Sequence, residues 1–157
     1  MPLSAVEAAY VDPGFLCALG QLPRLGRPKL LEQQDRGGEL WQRVRYAFTG
    51  DLSPAVKAVV DPQHLTWVEE STLDKANHTT TFVIRPDRYP GLLDASGQVT
   101  LTPDGAAGDT TIRRVSGDLT VHVPFVGRRV EAVIVSGLRE HAEREIDAVE
   151  RWAARRT

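Results

Sequence analysis

The sequence predicts an α+β protein in which a curved antiparallel sheet of about seven strands wraps around a long C-terminal helix, with short helices after the first strand. Two observations carry this prediction. Strand-like segments follow one another with only short turns between them, and one long helical pattern over residues 126–155 closes the chain. Consecutive strands favour a meandering antiparallel sheet, and a helix segregated from them makes the class α+β. The length of 157 residues fits a single domain over 1–157.

Composition narrows the classes of function. A net charge of −2 argues against nucleic acid as an obligate partner, because a nucleic-acid-binding surface needs a strongly basic face. The N-terminus has no basic region and no long apolar run, so we expect neither a secretory signal nor stable membrane insertion. The lone Cys17 cannot form an internal disulfide, and we expect it to be a small core residue. These features predict a cytoplasmic protein without a metal or other cofactor.

The N-terminal part predicts a strand and then a short helix. The segment "SAVEAAY" (4–10) reads as the first strand. Asp12 follows as a helix cap, with Pro13 in the first turn, where its missing N–H costs nothing. The helix itself is predicted over "GFLCALGQL" (14–22).

The next part predicts a hairpin and a second short helix. The strands "KLLEQQD" (29–35) and "ELWQRVRYAF" (39–48) are joined at "RGG", where paired glycines supply the positive backbone angles of a tight turn. "SPAVKAVV" (53–60) then opens with Ser53 as cap and Pro54 in the first turn, which indicates a helix.

Four further strands lead to the terminal helix. They are rich in Thr, Val, Phe and Trp, and turn residues separate them. Their predicted ranges are 65–74, 78–86, 95–103 and 110–123. In the last strand, Val115, Leu119, Val121 and Val123 alternate with polar residues, so one face of the sheet is predicted to be dry and the other wet.

This order of elements resembles a known superfamily. The resemblance rests on Ser53-Pro54 before a short helix, Trp67 in the next strand, Gly97 in a later one and "VPFVGRRVE" (123–131) at the strand-to-helix junction. It points to the START-like (SRPBCC, helix-grip) superfamily, which includes the birch-pollen allergen and polyketide cyclase families. More specifically, the chain looks like an actinobacterial branch described only as a domain of unknown function. The resemblance covers nearly the whole chain and implies an apolar cavity between sheet and terminal helix, used across the superfamily for lipids, sterols, polyketides and plant hormones.

The terminal helix changes character halfway. Its first half is apolar, with Val130, Val133, Ile134, Val135 and Leu138, whereas its second half is rich in Arg and Glu. The resemblance implies that the first half roofs the cavity while the second half continues in solvent. Gly137 fits this role as a bend or a roof position, and close packing against the sheet is the equal alternative.

One stripe of this helix carries two polar residues. His141 and Glu145 lie one turn apart among apolar positions. His141 could act as a hydrogen-bond donor or general base oriented by Glu145. The favoured interpretation is a histidine satisfied locally by that carboxylate.

The strands supply the other candidates. Tyr46 is predicted to point inward with a hydroxyl that needs a partner. The alternation leaves open which of Glu69 and Glu70 faces the interior, and Glu70 is the assigned candidate. The full set of cavity candidates is Tyr46, Trp67, Glu70, Phe82, Val133, Ile134, Gly137 and His141.

The sequence thus leads to a soluble module that binds or transports a small hydrophobic ligand, as a monomer or homodimer, with specificity from a few polar groups in an apolar pocket. A cyclase or aromatase-type enzyme acting in the same cavity is the second hypothesis. A third is an interaction module whose core is filled by large side chains, for which Trp41, Trp67 and Phe125 are available.

Overall fold

The computed structural model describes residues 1–19, 24, 26–51, 53–58, 61–125 and 127–155. It confirms the α+β class: six antiparallel strands form an open curved sheet, accompanied by short helices and one long C-terminal helix. The helices are α1 (Leu3–Tyr10), α2 (Pro13–Leu19), α3 (Pro54–Lys57) and α4 (Gly127–Ala154), with a 3₁₀ turn at Pro62–His64. The strands are β1 (Lys29–Asp35), β2 (Glu39–Ala47), β3 (Thr66–Asp74), β4 (Thr79–Pro86), β5 (Leu93–Asp104) and β6 (Thr110–Val121).

The sheet is a meander in which each strand pairs antiparallel with the next, so β1 and β6 form its edges. It has six strands rather than about seven, because "SAVEAAY" is helical and not a strand. Three alanines in α1 favour the helix. The buried positions Val6 and Ala9 are three residues apart, which is the spacing of one helical face and not of a strand.

Local turn chemistry agrees with the sequence where the structure describes it. The backbone N–H of Gly14 donates to Asp12 Oδ1 over 2.6 Å, which confirms Asp12 as the cap of α2. Gly37 has a φ of +78° in the hairpin between β1 and β2. The ends of the two predicted short helices, 20–22 and 59–60, and position 126 of the long helix lie outside the described residues.

The hydrophobic core is concentrated at one end of the sheet. Side chains of α1, α2, β2 and the second half of α4 form a single buried cluster: Ala9, Phe15, Leu16, Leu19, Val44, Ala148 and Val149. The sequence suggested that the second half of α4 continues in solvent. This expectation is wrong, because Ala148 and Val149 of that half belong to the core. Its small apolar residues are packed against the N-terminal helices, while most of its charged residues, though not Glu145, lie on the other faces of the helix.

Cys17 is exposed and is not the core residue that the sequence suggested. The short helix α2 buries Phe15, Leu16 and Leu19 on one face, which turns Cys17 outward. Its Sγ accepts a hydrogen bond from the Arg27 guanidinium at 3.5 Å.

Strand pairing fixes which residues face α4. Tyr46 lies opposite Trp67 and Val44 lies opposite Glu69 in the β2–β3 ladder. Because Val44 belongs to the core beneath α4, all of these residues lie on one face of the sheet, which we call the inward face.

The inward face bends where two glycines meet. Gly97 of β5 pairs directly with Gly117 of β6. A Cβ at Gly97 would collide with the carbonyl oxygen of Ser116 and with the Phe82 ring, and one at Gly117 would collide with the carbonyl oxygen of Ser96. Glycine at both positions thus permits the close backbone approach that curves the sheet.

Candidate functional site

The first half of α4 spans the inward face without packing closely on it. Val133 and Leu138 are 61% and 49% exposed, and Ile134 is half-buried. A Cβ added at Gly137 would meet no atom of the described residues within 4 Å beyond its chain neighbours and the helix's own backbone. The interpretation of Gly137 as a close-packing position is therefore wrong, and the space beside it is open.

The helix is held at its two ends. Near its start, Glu131 Oε1 accepts a hydrogen bond of 2.8 Å from the backbone N–H of Val121, at the end of β6. Near its end, Ala148 and Val149 are packed in the core. Of the described elements, β6, α1 and α2 lie closest to α4 along their backbones. Among the described residues, the central strands are consequently left partly uncovered beneath its first half.

Apolar side chains of these strands line the uncovered region. Tyr46 and Trp67 stack with ring centroids 5.7 Å apart and an interplanar angle of 15°. Phe82 and Ile84 of β4 share the inward face with Trp67 and are also half-buried. On the edge strand β6, Val115 faces the same way and is 53% exposed. We call this region, between the first half of α4 and the inward face, the apolar space.

A polar cluster adjoins the apolar space, near the boundary with the core. Its five side chains come from five different elements: Tyr10 of α1, Tyr46 of β2, Glu69 of β3, Arg113 of β6 and Glu145 of α4. Arg113 contacts both Glu145 and the Tyr10 ring, and Tyr46 and Glu69 lie on the inward face within electrostatic range of them. We call these five side chains the five-residue cluster.

Arg113 is the cation of this cluster. Its Nη2 lies 3.5 Å from Glu145 Oε2, and its guanidinium carbon lies 5.0 Å from the centroid of the Tyr10 ring, a cation–π distance. Its Nε is buried and has no hydrogen-bond partner among the described residues. A buried polar atom left in this way is costly unless a ligand or water supplies the missing partner.

Glu69 is the most perturbed acid of the cluster. Burial raises the pKa of its carboxyl group from 4.5 to about 7, the negative charge of Glu145 adds to the rise, and the positive charge of Arg113 opposes it. Burial also raises the pKa values of Tyr10 and Tyr46 well above the ordinary value, so both hydroxyls stay neutral donors at physiological pH. Of Tyr10, Tyr46 and Glu69, only Glu69 has a pKa at which its charge can change near neutrality.

The register settles which glutamate faces inward: it is Glu69, and the assignment of Glu70 to the cavity is wrong. Trp67 and Glu69 share the inward face, whereas Val68 and Glu70 lie on the opposite face of β3. There Glu70 Oε1 accepts a hydrogen bond from the Trp41 indole N–H at 3.3 Å.

His141 is half-buried on the same stripe of α4 as Glu145, one turn earlier. Both interpretations from the sequence joined His141 to Glu145. Instead, Glu145 pairs with Arg113, and no ion pair joins the two α4 residues within the described part of the chain. Their pairing fails because β6 presents a permanent cation to the Glu145 carboxylate.

Two members of the cluster had no counterpart in the sequence-based candidates. Arg113 is two residues before Val115 in β6, so the two side chains lie on the same face of the strand. The alternation that put Val115 on the dry face could therefore have identified Arg113 as an inward charge. Tyr10 was missed because its segment was assigned to a strand.

A concavity also lies between β6 and the first half of α4. It is an open groove of about 580 Å³, lined by Leu119, Arg128, Glu131, Ala132, Val135, Ser136 and Arg139. Its lining combines charged and apolar side chains.

Other kinds of site are not apparent in the described ranges. Within them, no three His, Cys, Asp or Glu side chains come together in a way that could hold a metal ion. No described helix is long and apolar enough to cross a membrane.

Comparison with known families places this fold and its cluster in context. A family model described as "Protein of unknown function (DUF2505)" matches residues 1–153, nearly the whole chain. The chain belongs to this family. No curated protein matches the sequence. In this DUF2505 member the matched range contains all of α1 to β6 and every residue of the five-residue cluster.

Proposed function

We propose that this DUF2505 protein is a binding or transport module that holds a small hydrophobic molecule in the apolar space. The main support is a difference in burial along one stripe of α4. Ala148 is buried in the core, whereas Ile134 is only half-buried and Gly137 borders space that no described side chain fills. Apolar surface held open beneath a helix marks a ligand site more often than a defect of packing, because protein interiors are otherwise close-packed.

The alternative of a filled core has less support. It depended on Trp41, Trp67 and Phe125 facing inward, and of these three only Trp67 does so. Trp41 lies on the opposite face beside Glu70, and Phe125 is fully exposed in the loop between β6 and α4. Two of the three side chains that would have filled the core are therefore directed away from it.

The architecture is compatible with the helix-grip fold of the START-like superfamily. A curved antiparallel sheet beneath a long C-terminal helix is the arrangement that the superfamily uses to enclose lipids and polyketides. The proposal for this chain draws on that likeness for the class of ligand, lipid or polyketide-like. It depends on the chain's own apolar lining for the place of binding.

An enzyme of the cyclase or aromatase type is the second candidate, and one observation favours it. Glu69 has a pKa of about 7 and lies beside the neutral hydroxyl of Tyr46. An acid with this pKa can take up or release a proton at physiological pH, as general acid–base catalysis requires. The two candidates separate on Glu69→Gln: a carrier changes in affinity alone, whereas an enzyme loses its rate.

The binding proposal is tested by native mass spectrometry of gently purified protein, with extraction and identification of any released molecule. We expect an apolar molecule at stoichiometric occupancy in the wild type. Gly137→Phe should abolish the adduct by filling the apolar space, while Arg129→Phe, on the exposed side of the same helical half, should retain it. A wild-type protein that stays free of ligand after incubation with a lipid and polyketide panel would contradict the proposal.

A further inference from the structure

The five-residue cluster has more negative than positive charge. Glu69 and Glu145 supply two carboxylates, Arg113 supplies one cation, and the two tyrosines stay neutral. When both acids are ionised, the cluster has a net charge of −1. A buried site with an unbalanced charge is unfavourable unless the charge is neutralised by a proton or by a partner of opposite sign.

The positive charge of Arg113 is already committed. Its guanidinium lies between the Glu145 carboxylate and the Tyr10 ring. Within the described residues, no ion pair includes Glu69. Glu69 is thus the acid of the cluster whose charge the protein itself leaves without a direct counter-ion.

The surroundings of Glu69 favour a cation on the side of the apolar space. Trp67, two residues earlier on the same face of β3, stacks on Tyr46, so two aromatic rings share this part of the inward face with Glu69. Aromatic faces and carboxylates both attract ammonium groups, and neither attracts an anion. This corner of the cluster offers a carboxylate and π-faces, with apolar walls beyond.

We propose that the ligand carries a basic nitrogen at one end of an apolar body, and that Glu69 binds this nitrogen as an ammonium group while the body occupies the apolar space. This inference rests on the proposed binding function and specifies its substrate class. An ammonium group brings the cluster to neutrality without displacing Arg113 from Glu145. A ligand with a carboxylate end would instead raise the negative charge to −2.

The inference has a defined pH dependence. Tyr46, Arg113 and Glu145 interact electrostatically with Glu69, Tyr10 contacts Arg113, and His141 is one turn from Glu145 on α4. An alkylamine stays protonated between pH 6 and 8, whereas Glu69 becomes ionised over that range. The affinity for an amine should therefore rise from pH 6 to pH 8, while the affinity for a neutral alcohol of the same chain length should not rise.

The test is calorimetric titration of the ligand-free protein with decylamine, decanol and decanoate below their micelle-forming concentrations. At pH 8 we expect decylamine to bind at least about tenfold more tightly than decanol, the equivalent of roughly 1.4 kcal/mol, and decanoate to bind most weakly. Glu69→Gln should remove the preference for the amine while decanol binding persists, which also shows that the variant is folded. Glu70→Gln is the matched control on the opposite face and should leave the order unchanged.

Three outcomes would overturn the inference. Equal or tighter binding of decanol or decanoate by the wild type would contradict an ammonium site. If the preference for the amine survives in Glu69→Gln, a group other than the Glu69 carboxylate is responsible for that preference. If none of the three ligands binds to the wild type while the protein melts cooperatively, the proposed binding function fails together with the inference.

Discussion

The two halves of α4 differ in burial, and the difference is the opposite of what their compositions suggest. The first half contains most of the large apolar side chains, yet Val133 and Leu138 are largely exposed. The second half is dominated by charged residues, yet it supplies Glu145, Ala148 and Val149 to the interior. Helices α1 and α2 cover one end of the inward face and pack against the second half, whereas no other described helix packs against the first half.

This contrast separates two uses of apolar residues. In the second half, small residues allow close approach, and the resulting contacts stabilise the fold. In the first half, large residues face open space, so they add little to the stability of the empty protein and provide surface for a ligand. The following predictions test this division of roles, from the largest expected effect to the smallest.

Substitution in the core beneath the second half should cost the most. Phe15 is fully buried and makes edge-to-face contacts with Tyr10 and Trp152. Phe15→Ala should lower the free energy of unfolding by about 3–5 kcal/mol, measured by urea denaturation. Leu138→Ala, in the first half, should cost less than about 1 kcal/mol. Comparable losses for the two variants would mean that the first half is packed as well as the second.

Removal of the carboxylate of Glu145 should have an intermediate effect. Glu145→Ala leaves the partly buried Arg113 guanidinium without its ion-pair partner, at an expected cost of roughly 2–3 kcal/mol in the free energy of unfolding. It should also lower the pKa of Glu69, because one of the charges that raise it is gone. Carbon-detected NMR titration of the Glu69 carboxyl measures the second effect. Glu143→Ala, at an exposed position of the same helix, should change neither quantity appreciably.

The pH dependence of stability should reveal Glu69. Its pKa is raised on folding, so the folded state binds more protons than the unfolded state between pH 4.5 and about 7. The stabilisation that results is fully present below pH 4.5 and is lost as the pH rises through 7. Relative to Glu69→Gln, the wild type should therefore lose roughly 2–3 kcal/mol between pH 5 and 8. Parallel stability profiles of the two proteins would show that this carboxyl is not perturbed.

The smallest predicted effect is a gain. Gly137→Ala adds a methyl group into open space and should raise the free energy of unfolding by about 0.5–1 kcal/mol, since alanine is the better helix former. Gly97→Ala should do the reverse, because its Cβ would collide with Ser116 and Phe82. A destabilised Gly137→Ala variant would contradict this, because it would mean that the added methyl group collides with the sheet.

Much of the fold was accessible from the sequence. Turn chemistry at Asp12 and Gly37 and the alternation of apolar residues located β1 to β6 and α4 within a few residues. The error at α1 arose because "SAVEAAY" is compatible with either period over so short a segment, and alanine content then favoured the helix. Cys17 was misplaced because nothing local indicates which side of a two-turn helix packs on the core.

The site was less accessible. Periodicity identified the inward stripe of α4, including Ile134 and Glu145, and it put Tyr46 inside. It could not choose between Glu69 and Glu70, since a shift of one residue reverses a strand's faces and only pairing with β2 decides. The partner of Glu145 was equally hidden, because Arg113 is 32 positions away in the sequence, on the edge strand.

Amide hydrogen exchange along α4, with and without a bound ligand, tests the central claim most directly. Opening free energies follow local packing, so in the ligand-free protein the amides of 130–139 should exchange faster than those of 141–152. Addition of a ligand identified by native mass spectrometry, or of decylamine, should slow exchange in 130–139 and leave 141–152 nearly unchanged. Uniform protection along the ligand-free helix, or ligand protection confined to the second half, would contradict the division of roles between the two halves.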